Sequence, residues 1–195
     1  IVWIPASAGM TTTFNLNIAK IHYNFFMIII IGLGNPGKKY QNNRHNVGHL
    51  FVDYILENQS AGWRTKVKIM KTDCFMNLSG FFVKKLSMIN HLSSNDLIVV
   101  HDDLDIPLGK FHIQFASGPL LHNGLESIEQ HLKTKDFYRI RIGVDNRPVD
   151  RKIPGETYTL QNFLPEEKKL LETKIFTKIY AQLKLHLKNQ FKVII

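Results

Sequence analysis

Residues 27–48 read M-I-I-I-I-G-L-G-N-P-G-K-K-Y-Q-N-N-R-H-N-V-G, and this stretch decides the fold. The apolar, β-branched run 28–33 is bounded by glycine, the pattern of a strand covered on both faces. The turn after it is literally G-x-G-x-x-G, through Gly32, Gly34 and Gly37. In dinucleotide-binding folds a helix starts inside those glycines. Here residues 38–43 carry no apolar stripe, and Pro36 steers Asn35 away from the right-handed helical region. The better reading is a tight turn whose glycines supply positive φ. It leaves Asn35 at the carboxyl edge of a strand, where open α/β sheets bind ligands.

Working outward, a helix is expected over 46–57, because Val47, Leu50, Phe51, Tyr54 and Ile55 form one stripe. Residues 63–70 partly alternate as a strand, and a short strand is expected at 74–76. Ser79 is placed to cap a helix carrying Phe82, Val83, Leu86 and Ile89. A buried strand at 97–100 runs into His101-Asp102-Asp103, and 105–109 reads as a turn. Strands are expected at 111–115 and 138–144, with Arg139 and Arg141 off the apolar face of the latter. Between them lies a helix over 123–132. Pro165 suits the first position of a last helix, with Glu166 and Glu167 in its first turn. Leu171, Ile175, Ile179 and Leu183 give that helix its apolar side. Strands alternating with helices imply an α/β fold: a single three-layer domain with a central mixed β-sheet flanked by helices. Residues 27–195 form that domain, and 1–26 read as a disordered or loosely attached extension.

The chain has 195 residues, 44% of them apolar, enough for one domain with a sizeable core. No apolar run is long enough to cross a bilayer, and no signal peptide is recognisable at the start. The single cysteine, Cys74, excludes an internal disulfide framework and suits a reducing cytosol. Twenty-five Lys and Arg against sixteen Asp and Glu give a net charge of +9, a balance that favours polyanionic partners such as nucleic acid.

His45 is the natural candidate for a general base, since its ordinary pKa lies near neutrality. Asp102 and Asp103 follow a strand that ends at the same sheet edge, and alternation sends only one of them into the site. A carboxylate holding one imidazole nitrogen leaves the other free to take a proton from water. A metal site built from His45, His101, Asp102 and Asp105 competes poorly, because adjacent strand residues do not converge on one ion. Cys74 as a nucleophile is weaker still, with Asp73 beside it to raise the thiol pKa. Asn35, Asn77 and Asn123 recur beside turns and strand ends. A neutral amide there suits a carbonyl, an oxyanion or an attacking water.

In combination these motifs resemble the bacterial-type peptidyl-tRNA hydrolases. The matching segments are G-L-G-N-P-G at 32–37, Tyr40, R-H-N-V-G at 44–48 and F-M-N-L-S-G at 75–80. They continue with H-D-D-L-D-I-P-L-G at 101–109, H-N-G-L at 122–125 with Ser127-Ile128, and F-Y-R-I-R-I-G at 137–143. The resemblance implies hydrolysis of the ester joining a peptide to the 3′-terminal ribose of tRNA, with His45 as proton acceptor for water and Asp102 holding it in its basic form. Asn35 would help tell blocked from free aminoacyl-tRNA, and Tyr40, Phe75, Asn77 and Asn123 would bind the substrate's 3′ end and place the water. It implies no metal and no organic cofactor, no membrane and no obligatory protein partner, only a cytoplasmic monomer whose partner is peptidyl-tRNA. A tRNA-binding protein of the same fold that has lost catalysis is the alternative. Arg141 and the lysines of the last helix are candidate phosphate contacts.

Three departures from the family pattern stand out. The connection between the helix at 46–57 and F-M-N is shorter by on the order of ten residues, a strand or hairpin. Lys71-Thr72-Asp73-Cys74 replaces a Lys-Pro-x-Thr pattern, and Gln114 stands where a basic residue is usual. Ser117-Gly-Pro-Leu-Leu121 replaces a glycine-rich run. If those glycines serve positive φ, Leu120 and Leu121 should cost stability or reshape the loop.

Overall fold

The computed structural model describes residues 28–59, 66–148 and 153–193. Five strands form one sheet: β1 Ile28–Gly32, β2 Val67–Lys71, β3 Leu97–Pro107, β4 Phe111–Phe115 and β5 Tyr138–Asp145. Their order is β2-β1-β3-β5-β4. Strands β2, β1, β3 and β5 are parallel, and β4 pairs antiparallel with β5, so the sheet is mixed as expected.

The four isoleucines of β1 explain the layering. Ile28 and Ile30 pack with α1 (Val47–Asn58) and α6 (Phe176–Phe191) on one face. Ile29 and Ile31 pack with α2 (Ser79–Asn90) and α3 (Asn123–Leu132) on the other. All four are fully buried, and each contributes about 1.5–3 kcal/mol. From β1 the chain passes through α1 to β2 on one side, then through α2 to β3 on the other. That reversal opens a crevice at the carboxyl ends of β1 and β3. The C-terminal part adds α4 (Gly155–Thr159) and α5 (Pro165–Leu170), which has proline in its first turn. A π-helical turn at Leu171–Ile175 then runs into α6. Leu171, Ile175, Ile179 and Leu183 are buried, as their spacing requires.

Several local expectations are corrected. No strand forms at 74–76. Beyond β2, Thr72 donates its amide to the Gly32 carbonyl, and Met76 gives its amide to the Asn35 side chain. The chain therefore leaves the sheet and forms a 3-10 turn, Met76–Leu78. Ser79 does not cap α2: it is the first helical residue, fully buried, with its hydroxyl 4.0 Å from the Met76 sulfur. Ile89 lies off the packed side of α2, 66% exposed. β3 continues through Pro107, so only Leu108–Gly109 make the turn, and a register shift between Asp103 and Pro107 bends the strand's end. The strand expected at 63–70 is β2; residues 63–65, like the extension expected at 1–26, lie outside the described residues. Among the described residues no helix is long and apolar enough to cross a membrane.

Candidate active site

The first loop reaches the crevice as two short 3-10 turns, Lys38–Tyr40 and Arg44–Asn46, instead of a helix starting among the glycines. Of its three glycines only Gly37 takes positive φ, at 102°; Gly32 and Gly34 serve close approach instead, to the Gly48 backbone and the His49 ring. Asn46 locks this loop: its side-chain oxygen accepts the Asn35 amide at 2.9 Å, and its NH2 donates to the Asn35 carbonyl at 2.9 Å. That amide is therefore engaged within the protein and not offered to a pyrophosphate. Gly48 lets α1 lie against the sheet, since a Cβ there would sit 2.4 Å from the Val100 carbonyl.

His45 extends from the second turn towards the end of β3, and its Nδ1 lies 2.8 Å from Asp102 Oδ1. Asp102 and Asp103 part as alternation demands: Asp103 turns to the other side and accepts from Arg141 Nε at 2.7 Å. Asp102 is buried, which by itself would raise its pKa, yet His45 and His122 hold it far below the usual carboxylate range. It is therefore ionised and accepts the Nδ1 proton of His45. The basic lone pair stays on Nε2, which has no partner among the described residues. Burial works to lower the pKa of His45, but the charge and hydrogen bond of Asp102 outweigh it, and the net shift is upward.

A second imidazole meets the same carboxylate oxygen. His122 Nε2 lies 3.1 Å from Asp102 Oδ1, and its ring is 5.1 Å from that of His45. As the N-cap of α3, His122 accepts the amides of Gly124 and Leu125 on Nδ1 at 3.1 and 3.3 Å. An acceptor at Nδ1 must carry its proton on Nε2, so His122 is a fixed donor to Asp102. Its neighbour His101 donates Nδ1–H to the Asp102 carbonyl at 2.7 Å; complete burial drives its pKa well down.

The three asparagines lie on the loop after β1, in the turn before α2 and at the start of α3. Asn35 accepts the Met76 amide on its side-chain oxygen at 2.8 Å, which fixes the orientation of its amide group. Asn123 follows His122 at the start of α3, and Asn77 lies in the turn before α2, both exposed. The Asn77 carbonyl is tied to the Ser127 hydroxyl at 2.8 Å. Tyr40 and Phe75 meet edge to face, ring centroids 6.3 Å apart.

The competing chemistries fare worse. His45, Asp102 and His122 offer ligand atoms within 4.8 Å of one another, a set that replaces His101 and Asp105 of the expected grouping. Yet His122 cannot offer Nε2 to a cation while its Nδ1 accepts two amides. Asp105 instead accepts the Leu120 amide at 3.1 Å. Cys74 is half-buried, and burial together with Asp73 pushes its thiol up, so it stays protonated. A cavity of about 360 Å³ lies beside α2, lined by Met70, Cys74, Leu78, Phe81 and Ile89 among others. None of the polar cluster lines it.

The family model for peptidyl-tRNA hydrolase matches residues 29–195. The chain belongs to the peptidyl-tRNA hydrolase family. The peptidyl-tRNA hydrolase of Pseudothermotoga lettingae is 38% identical over 157 residues, covering 75% of this chain and 83% of that one. That of Geotalea daltonii is 40% identical over 154 residues, covering 71% and 79%. The crystal structure of peptidyl-tRNA hydrolase from Acinetobacter baumannii shares the fold, with a TM-score of 0.72 over 86% of this chain and 92% of that one at 24% identity. Within this family member Arg141 stands apart from the cluster. Its charge is met by Asp103, and its NH1 donates to Gln114 Oε1 at 2.8 Å, where a basic residue would repel it. Of the lysines on the last helices, Lys169, Lys174, Lys178 and Lys188 are exposed. Leu120 and Leu121 keep ordinary φ; the residue of that loop at positive φ is Ala116, at 52°.

Two members of the cluster escaped the sequence reading. His122 was visible only as part of H-N-G-L, although a polar residue before a helical stripe is a capping signal. Asn46 was visible only as part of R-H-N, and nothing in a single sequence pairs it with Asn35, 11 positions away.

Proposed function

We propose that this chain hydrolyses the ester between peptide and tRNA by base-assisted attack of water, with His45 as the base. The observation that carries the reading is the 2.8 Å contact of His45 Nδ1 with the buried Asp102, which leaves Nε2 as the acceptor. Nε2 takes a proton from water as the water oxygen bonds to the ester carbonyl carbon. The bond from that carbon to the ribose oxygen then breaks, and the proton on Nε2 passes to the ribose oxygen. Free peptide acid and tRNA with its 3′-terminal hydroxyl are the products. Asp102 stabilises the imidazolium formed in between. The NH2 of Asn35, fixed in direction by Met76, is a donor for the carbonyl side of the substrate. Asn77 and Asn123 supply further amides for the 3′ end and the water, and Tyr40 and Phe75 offer ring surfaces for it to stack on.

No metal or organic cofactor takes part in this scheme. The net charge of +9 and the exposed lysines of α5 and α6 support an electrostatic hold on the tRNA backbone. Arg141 contributes there less than its charge suggests, being paired already. The start of the family match at residue 29 supports reading 27–195 as the catalytic domain and 1–26 as an extension. A monomer acting in the cytosol accords with the lone thiol of Cys74, and light scattering of the purified chain tests the monomer.

The decisive assay is release of tRNA from an N-acylated aminoacyl-tRNA. The parent chain turns it over, and His45→Ala lowers the rate by about 10²–10⁴-fold. Equal turnover by the variant would refute the mechanism. Salt-sensitive tRNA binding by the parent chain without cleavage would select a binding protein instead.

A further inference from the structure

We infer that the buried Arg44–Glu167 pair is a positioning device for the base: it holds the turn carrying His45 against Asp102 and so makes the C-terminal segment part of the catalytic machinery. The inference rests on the reading of His45 as the base.

Arg44 immediately precedes His45 in the turn Arg44–Asn46. Its NH2 meets both carboxylate oxygens of Glu167, at 2.9 and 2.6 Å, and its NH1 donates to the Asn162 carbonyl at 2.6 Å. The rings of Tyr158 and Phe163 lie 4.3 and 5.1 Å from the guanidinium carbon. Side-chain exposure is 4% for Arg44 and 3% for Glu167. Glu167 is itself held by the Asn146 NH2 at 3.0 Å and the Leu164 amide at 2.8 Å. The backbone repeats the attachment: Arg44 donates to the Gln161 carbonyl at 3.0 Å, and Phe163 to the Asn42 carbonyl at 2.9 Å. The Asn43 NH2 adds bonds to the Leu160 carbonyl at 2.6 Å and Asn162 Oδ1 at 2.8 Å.

Residues 42–44 are thus fastened to 160–163 immediately before the base, while Asn46 fastens the loop to Asn35 immediately after it. A buried ion pair is weak evidence of a stabilising role, since desolvation offsets most of its attraction. A planar guanidinium that places one nitrogen on both Glu167 oxygens and another on the Asn162 carbonyl is strong evidence of fixed geometry. The contact it protects is steep in distance and angle, and small displacements of a base are costly in rate. The charged or titratable groups facing the His45 ring are Asp102 and His122. The upward shift at His45 depends on Asp102 alone against burial. A slackened turn therefore weakens what raises the pKa and leaves the burial that lowers it.

The test measures kcat and KM against pH for Glu167→Gln in the full chain, using N-acylated aminoacyl-tRNA. The expected result is a kcat lower by about 10- to 100-fold, a KM within twofold of the parent (about the scatter of such a comparison), and an acid limb moved to lower pH. Arg44→Lys should not restore the parent profile, because an ammonium cannot span Glu167 and the Asn162 carbonyl as the planar guanidinium does between the Tyr158 and Phe163 rings. Leu183→Ala, in the core contributed by α6 and away from the site, should lower the melting temperature without moving the limb. Asn146→Ala removes one donor to Glu167, should shift the limb less in the same direction, and decides the matter if Glu167→Gln does not fold. An unmoved limb, or an equal movement in Leu183→Ala, overturns the inference. Undiminished turnover in His45→Ala would instead overturn the assignment of the base.

Discussion

Residues 33–46 and residues 116–121 approach the same carboxylate, Asp102, from two sides, the first through His45 and the second through His122. The first segment is bonded along its length: Asn35 to Asn46, Gly34 to Thr72, Arg44 to Glu167. The second is attached by the Ala116 amide to Phe137 and the Leu120 amide to Asp105. It carries Leu120 and Leu121 89% and 84% exposed, and Ala116 at a φ of 52°. The side that carries His45 is over-determined, whereas the other side is fixed only once His122 caps α3. Chemistry should therefore be sensitive to the first segment, and substrate range to the second.

The largest break comes at the shared anchor. Asp102→Asn should lower kcat by about 10²–10⁴-fold. It removes both influences that raise the pKa of His45, so the acid limb of the rate profile should move to lower pH than in the parent. Just beyond the first segment, in the first turn of α1, Gly48→Ala sets a methyl group against backbone of β3 and of Leu33. Denaturant unfolding should show a loss of about 1–3 kcal/mol, reflecting overpacking with nothing able to give way.

Acid probes the same turn of α1 differently. His49 Nε2 lies 3.0 Å from the Thr72 hydroxyl, and burial, aided by Lys71, takes its pKa down to about 4. Its folded pKa is depressed, so the unfolded chain binds the proton first. The contribution of His49 is complete above pH 6.5 and is lost as pH falls towards 4. Melting temperatures of His49→Gln should fall less steeply over that window. In the second segment, Leu120→Ser with Leu121→Ser should change KM by no more than about fivefold and leave kcat alone, the sign of lost uniform binding. The smallest effect is Ala116→Gly, which removes left-handed strain and should stabilise by less than about 1 kcal/mol.

The fold was legible because period does the work. Four adjacent isoleucines demand two covered faces, and α3 and β4 have the bounds that their spacing predicts. The errors cluster at 74–79, where the Met76 amide goes to the Asn35 side chain 41 residues earlier and overrides any local strand tendency. The contact of His45 with Asp102 was legible because a histidine at a helix start and a carboxylate at a strand end share one sheet edge. Arg44 with Glu167 was not, since the partners are 123 positions apart. The double duty of His122 escaped for another reason: capping fixes which nitrogen is protonated only when both sets of partners are seen.

That fixed tautomer makes the Asp102 end of the network a dead end for protons. A proton arriving at the carboxylate finds His122 already presenting a hydrogen, and its other nitrogen is occupied by the first amides of α3. Charge gained by His45 has no exit through the interior. If His45 is the base as proposed, the proton must leave by the face on which it entered, and the start of α3 would serve as a stopper that returns to the leaving ribose oxygen the proton taken from water.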